Sequence, residues 1–180
     1  METVKILDRT FKIYLRETEI QQRIREVGRQ ISTDFEGKNP LLIGVLNGAF
    51  MFAADLLRAI DTPAEISFIK MASYEGMSST GNVSSLIGLN ESLEGRHVII
   101  VEDIIDSGLS MTHLIKTIKQ QNPSSVSICS LLVKPGNMKV ELDIPYCCFR
   151  IPNDFIVGYG LDYDRYGRGL SDIYVVTEEE

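Results

Sequence analysis

"VIIVEDIIDSGLS", residues 98–110, decides the fold. Val98 to Val101 form an apolar, β-branched run that closes on Glu102 and Asp103. With His97 in front, residues 97–103 read as a buried strand. Ile104 and Ile105 follow, then Asp106 and the small-residue stretch Ser107, Gly108, Leu109, Ser110. Beyond Gly108 the period changes: "LSMTHLIKTIKQQ" (109–121) puts Leu114, Ile115 and Ile118 on one side and predicts a helix. A strand that turns into a helix leaves free N–H groups at the turn, and these suit a phosphate. Glu102 and Asp103 suit the opposite need, accepting hydrogen bonds from vicinal hydroxyls. A ribose 5-phosphate offers a diol at one end and a phosphate at the other. Asp106 lies between the two and is placed to act as a base near the anomeric carbon.

Working outward, the same alternation of strand and helix recurs. "LLIGVL" (41–46), behind Pro40, predicts a buried strand, and 48–60 a helix with Gly48 at its start. "EISFIKM" (65–71) alternates as a strand does, and 124–134 reads as another. Short strands are expected at 155–162 and 172–176. Ile20, Ile24, Val27 and Ile31 share one face of a helix that Thr18 could cap. "ASYEGMSSTGNVSS" (72–85) has no hydrophobic period; a loop of that length is usually functional or disordered. Together these elements predict an α/β fold with a mostly parallel central sheet flanked by helices on both faces. In such sheets ligands sit outside the carboxyl ends of the strands, where Glu102 and Asp103 fall.

The bulk composition sets limits. The chain has 180 residues, which fits a single domain over 1–180 with a sizeable core. Its net charge of −7 and pI of about 4.9 lack the basic footprint of broad nucleic-acid or acidic-membrane binding. Cys129, Cys147 and Cys148 form no CxxC pair, and an odd count points to a reducing compartment. No window approaches the roughly 18 apolar residues of a membrane span. The expectation is a soluble cytoplasmic protein with neither membrane nor nucleic acid as partner.

Competing accounts of the acidic stretch are weaker. A two-component receiver carries paired acids after its first strand, whereas here two strands precede them. No GxxxxGK[ST] occurs, and "GYGLDY" (158–163) is not GxGxxG. A merely solvated strand end does not account for three acids around a Ser-Gly turn directly after "VIIV".

The stretch resembles the phosphoribosyl-pyrophosphate motif of the type I phosphoribosyltransferase family: an apolar strand, two acids, two apolar residues, then Asp-[ST]-Gly-x-[ST]. Further segments resemble the hypoxanthine-guanine branch of that family, in order from about Leu41 to Val176. "VLNGAFMFAADL" (45–56) is similar to its pyrophosphate loop and following helix, and "SYEGMSSTG" (73–81) to its mobile lid. "LLVKPG" (131–136) and "FIVGYGLDYDRYGRGL" (155–170) are similar to its purine-recognising part. The resemblance implies a core at about 36–134, a small hood from 1–35 and 135–180, and a lid at 72–85. It also implies purine salvage: transfer of the phosphoribosyl group from phosphoribosyl pyrophosphate to hypoxanthine, and to guanine, with Mg²⁺ required. The alternatives are a related nucleic-acid-binding regulator and a xanthine-preferring transferase. A homo-oligomer, dimer or tetramer, is implied too.

The roles carry over residue by residue. Asp106 would take the proton from purine N7. Glu102 and Asp103 would hold the ribose hydroxyls and metal-bound water, with Asp162 near a metal. Asp106, Ser107, Gly108, Leu109 and Ser110 would bind the 5-phosphate. Leu46, Asn47 and Gly48, where a non-proline cis peptide is implied, would present backbone N–H groups to the pyrophosphate, and Arg168 would grip it. Lys134 would bond the 6-oxo group, Phe155 would stack on the base, and Ile156 and Asp162 would line its edge. Ser73 and Tyr74 of the lid would close over the site. Each residue also has a plainer reading: Phe155 as core, Lys134 as a solvated charge, Arg168 as a surface partner of Asp162 or Asp164, Tyr74 as a loop anchor. His97 and His113 read as structural. Two features depart from the family pattern. Asn47 stands where many relatives carry Lys, and Gly167 and Gly169 flank Arg168. Residues 137–153 suggest no function.

Overall fold

A computed structural model describes residues 2–71 and 86–177. The expected lid, with Ser73 and Tyr74, lies outside the described residues. In chain order the elements are β1 (Thr3–Ile6), β2 (Arg9–Leu15), α1 (Glu17–Asp34), β3 (Leu41–Leu46), α2 (Phe50–Arg58), β4 (Glu65–Met71) and β5 (Leu86–Ile87). There follow β6 (His97–Ile105), α3 (Leu109–Lys119), β7 (Ser125–Val133), β8 (Tyr146–Arg150), β9 (Ile156–Val157) and β10 (Ile173–Val176).

A large sheet has the order β5-β4-β3-β6-β7-β8. Its pairs β4/β3, β3/β6, β6/β7 and β7/β8 are parallel, and β5 alone runs against its neighbour. Strand β6 is the middle of the parallel set. Val98, Ile99, Ile100 and Val101 are fully buried, each contributing roughly 1.5–3 kcal/mol through lost apolar exposure. Successive residues face opposite sides. Ile99 and Val101 meet α1 and α2 through Ile20, Ile24, Phe52 and Leu56, whereas Val98 and Ile100 meet α3 through Met111, Leu114 and Ile118. Helices therefore cover both faces, as the alternation in the sequence predicts. A second, antiparallel sheet, β1-β2-β10-β9, is built from both ends of the chain around Phe11, Val157 and Tyr174.

Several local expectations are corrected. Strand β6 runs on to Ile105, so Glu102 and Asp103 lie inside it and not at its end. The reason is β7, which supplies ladder partners beyond the acids: Glu102 pairs with Ser130, Ile104 with Leu132 and Ile105 with Val133. Thr18 does not cap α1. Arg16 precedes the helix, and Glu19 reaches back so that its carboxylate accepts the Arg16 N–H at 3.0 Å. Helix α2 begins at Phe50, leaving Gly48 and Ala49 in the turn after β3. Of the strand expected at 155–162 only Ile156–Val157 pairs with β10; Gly158, Tyr159 and Gly160 then turn the chain with φ of 107°, 49° and 100°. Strands β1, β2, β5 and β8 have no counterpart among the expected elements. Strand β8 joins the large sheet from beyond the expected limit at 134, and α1 packs on that sheet from before 36. The Arg23 guanidinium fastens the two together, donating to the carbonyls of Cys147 and Cys148 at 3.0 Å each.

Candidate active site at the carboxyl ends of the strands

The junction between β6 and α3 encloses a cavity of about 130 Å³ lined by Glu102, Ile104, Ile105, Asp106, Ser107, Gly108, Ser110 and Met111. Gly108 is the residue before α3. The turn is braced from behind. The Thr112 hydroxyl donates to the Gly108 carbonyl at 2.9 Å, and the Lys139 N–H donates to the Ser107 carbonyl at 3.0 Å. These bonds hold Asp106, Ser107 and Gly108 in a tight turn around the cavity; Ser110 lines it from the first turn of α3, and Leu109, expected at the phosphate, is exposed and outside its lining.

The acid pair is held by its own backbone. A Glu102 carboxylate oxygen accepts the Asp103 N–H at 3.1 Å, and Asp103 accepts the Ile104 N–H at 2.9 Å. Burial, and next the neighbouring Asp103 charge, pushes the Glu102 carboxyl well above its usual range. The Gly48 backbone lies directly on this pair: a β-carbon at Gly48 would overlap a carboxylate oxygen of Asp103. The peptide Leu46–Asn47 is cis, and Asn47 is exposed. On its other side the Gly48 carbonyl is backed by Gly160, where a β-carbon would collide with it. Acid pair, loop 46–48 and turn 158–161 are thus stacked in contact.

That turn carries the next residues. Arg168 donates to the Gly160 carbonyl at 2.7 Å and pairs with Asp162 at 2.8 Å. The second Asp162 oxygen accepts the Arg165 N–H at 2.7 Å. The ion-pair reading of Arg168 therefore describes its contacts in the structure, and Asp162 is engaged on both oxygens. Lys134, directly after β7, is only 7% exposed, so it is not a solvated charge. Its ammonium lies 3.9 Å from the Asp106 carboxylate. Phe155 is 41% exposed and not core; its ring meets Tyr163 edge-on at 5.7 Å and Phe11 at 6.3 Å. Ile156 is buried on β9 opposite Val175.

Two groupings thus form: Asp106 with Lys134, and Asp103 with Gly48, Gly160, Arg168 and Asp162. Phe155 meets Phe11 and Tyr163, and Ile156 packs into the same core cluster as Ile173 and Val175, so neither has a described contact with Asp106 or Lys134. The close approach of Gly160 to the Gly48 carbonyl is not among the expected contacts, although two glycines around one tyrosine in "GYG" are the sequence signal of a forced turn.

The donors suit Mg²⁺ in one particular way. Glu102 and Asp103 offer adjacent carboxylates, yet among the described residues no three His, Cys, Asp or Glu groups cluster into a cage. A hard cation that keeps waters and takes substrate oxygens needs only one or two carboxylates, so the residues fit. Asp162 would have to share with Arg168.

Residues 11–164 match the phosphoribosyl transferase domain family. The chain is 44% identical over 169 residues to the bifunctional TilS/HprT protein of Listeria monocytogenes, covering 93% of this chain but only 26% of that protein. The chain thus spans about a quarter of the length of that relative. It is 41% identical to the hypoxanthine-guanine phosphoribosyltransferase of Streptococcus pneumoniae, covering 93% of this chain and 94% of the relative. A crystal structure of a Bacillus anthracis hypoxanthine-guanine phosphoribosyltransferase superposes with a TM-score of 0.85 at 39% identity, covering 92% and 98% of the two chains. The Trypanosoma cruzi hypoxanthine phosphoribosyltransferase superposes at 0.84 with 38% identity, covering 93% and 97%. The chain belongs to the phosphoribosyl transferase family, in its hypoxanthine-guanine branch.

Proposed function

We propose that this chain transfers the 5-phosphoribosyl group from phosphoribosyl pyrophosphate to N9 of hypoxanthine or guanine, releasing pyrophosphate. The observation that carries the reading is Lys134, a nearly buried ammonium 3.9 Å from Asp106 beside the phosphate-sized loop. A buried lysine facing a ligand site is a fixed hydrogen-bond donor. It meets the 6-oxo oxygen of hypoxanthine or guanine; adenine would present an amino donor to it instead.

The rest follows from position. The loop 106–110 binds the 5-phosphate through backbone N–H and the Ser107 and Ser110 hydroxyls. Glu102 and Asp103 accept hydrogen bonds from the ribose diol. Leu46, Asn47 and Gly48 present their backbone to the pyrophosphate, and Arg168 adds a guanidinium on the Gly160 side. As the N9 lone pair forms the bond to C1, the C1–oxygen bond breaks, its electrons leave with pyrophosphate, and the N7 proton passes to Asp106. Mg²⁺, held by Glu102 and Asp103 with Asp162 nearby, would supply charge neutralisation of the leaving pyrophosphate. Phe155 offers an exposed aromatic face to the base, and Ile156 and Asp162 its edge.

The acidic charge does not favour a nucleic-acid partner. Free Cys129, Cys147 and Cys148 fit a reducing compartment, and we place the protein in the cytoplasm. Initial rates with hypoxanthine, guanine, xanthine and adenine test the proposal. It predicts nucleotide and pyrophosphate in equal amounts from hypoxanthine or guanine and little from adenine. Adenine turnover at a comparable rate, or no product from any base, contradicts it.

A further inference from the structure

We infer that Tyr159 is a positioning residue for the pyrophosphate half of the site, tethering the 158–161 turn to the 46–48 loop through Asp55. The inference rests on the proposed reading of Gly48 and Arg168 as pyrophosphate contacts. Tyr159 is 1% exposed and sits in the left-handed region with φ of 49°. Its hydroxyl donates to an Asp55 oxygen at 2.5 Å, and Gln21 donates to the same oxygen at 2.6 Å. Asp55 stands on α2, the helix that leaves the 46–48 loop, and Gln21 on α1. One carboxylate therefore joins both helices to the turn.

The turn is in turn clasped to Arg168. The Tyr159 N–H donates to the Leu170 carbonyl at 2.8 Å, the Gly160 N–H to the Arg168 carbonyl at 2.9 Å, and the Gly160 carbonyl accepts the Arg168 side chain. Gly160 also rests on the Gly48 carbonyl. Both faces of the proposed pyrophosphate site thus depend on where the Tyr159 backbone sits. Packing alone would be met by phenylalanine; a buried hydroxyl aimed at a carboxylate adds direction and a charge-assisted bond. Burial, and then the Asp55 hydrogen bond, pushes the phenol above its usual range, which keeps it a donor.

The test compares Tyr159→Phe with the unaltered protein in two titrations with Mg²⁺ present, one with pyrophosphate and one with a purine nucleoside 5′-monophosphate. The nucleotide has no pyrophosphate group, so it makes no contact with the 46–48 backbone or the Arg168 guanidinium, although its ribose and base reach Asp103 and Asp162. Loss of a hydrogen bond to a charged group predicts pyrophosphate binding weaker by about tenfold, with nucleotide binding within about twofold. Asp55→Asn keeps an oxygen acceptor for the Tyr159 hydroxyl and should retain most of the affinity that Asp55→Ala loses. Equal weakening of both ligands, or unchanged pyrophosphate binding, overturns the inference. If Tyr159→Phe does not fold, Asp55→Ala is read in the same titrations. Failure of both to fold makes the pair a folding element and also overturns it. Arg168→Leu separates the two levels. If the unaltered protein binds no pyrophosphate, or Arg168→Leu binds it equally well, the site reading fails. If that control holds and Tyr159→Phe is without effect, only the tether fails.

Discussion

At the scale of single residues, the account turns on Asp106 and Lys134. Their side chains differ sharply in burial, 52% exposed for Asp106 and 9% for Lys134, yet lie 3.9 Å apart. Lys134 is held in place by burial, whereas the half-exposed Asp106 carboxylate is open to the side on which the proposed base would bind. Asp106→Asn removes the proposed proton acceptor and keeps a side chain of the same shape in the loop. Turnover should fall by about 10²–10⁴-fold, with a much smaller change in the phosphoribosyl-pyrophosphate KM. Steady-state kinetics reads this, and unchanged turnover removes Asp106 as base. Lys134→Ala should lower kcat/KM for hypoxanthine by roughly 10–100-fold while leaving the low rate with adenine nearly unaltered. Unaltered selectivity among the bases would take the 6-oxo contact away from Lys134. The burial of Lys134 was not legible in the sequence, where a lysine after a strand reads as solvent-facing. It arises because Lys134 follows β7, and its N–H is held by the Ile105 carbonyl at 2.9 Å.

At the scale of elements, the site exists because glycine lets backbones touch. Gly48 lies on the Asp103 carboxylate and Gly160 on the Gly48 carbonyl. Gly48→Ala should therefore displace either the loop or the acid pair. The expected outcome is a drop in kcat/KM of at least about tenfold with a far-ultraviolet spectrum unchanged, because the collision is local. Full activity would show that the loop and the acids do not act as one unit. Of the elements nearest the site, the strand-to-helix junction was legible and the turn at 158–161 was not. Val98 to Val101 and the turn into α3 carry a long apolar run, a glycine and a change of period, and the observed strand departs only by running on to Ile105. The hairpin β1–β2 left a readable trace, since Phe11, Ile13 and Leu15 alternate with Thr10, Lys12 and Tyr14. Strand β8 left little, because "YCCFR" owes its place to β7 and to Arg23 on α1 and not to its own pattern. The Tyr159–Asp55 tether spans 104 positions and no local pattern announces it.

At the scale of the whole molecule, the core holds several ionisable groups in their neutral form. Burial pushes the Cys148 thiol from its ordinary 9.0 up to about 12. Burial also raises Cys129, and burial followed by hydrogen bonds to Asp34 and Asp55 raises Tyr146 and Tyr159. These groups keep protons in the folded chain that the unfolded chain has lost. Stability therefore holds below the unfolded values and falls as pH climbs through them toward the folded ones. Urea midpoints from about pH 8 to about pH 10.5 should decline steadily, and more gently in Cys148→Ala. The slope is the readout, because that substitution also removes core volume at every pH. A flat midpoint across the range contradicts the burial of these groups.

The central claim is that one strand-to-helix junction grips a sugar diol and its terminal phosphate together. A crystal structure of the protein with a purine nucleoside 5′-monophosphate measures this most directly. The account predicts phosphate oxygens on the N–H groups of residues 106–110, ribose hydroxyls at Glu102 and Asp103, and O6 at Lys134. A nucleotide whose phosphate lies away from that turn, or whose ribose lies out of reach of both carboxylates, would contradict it.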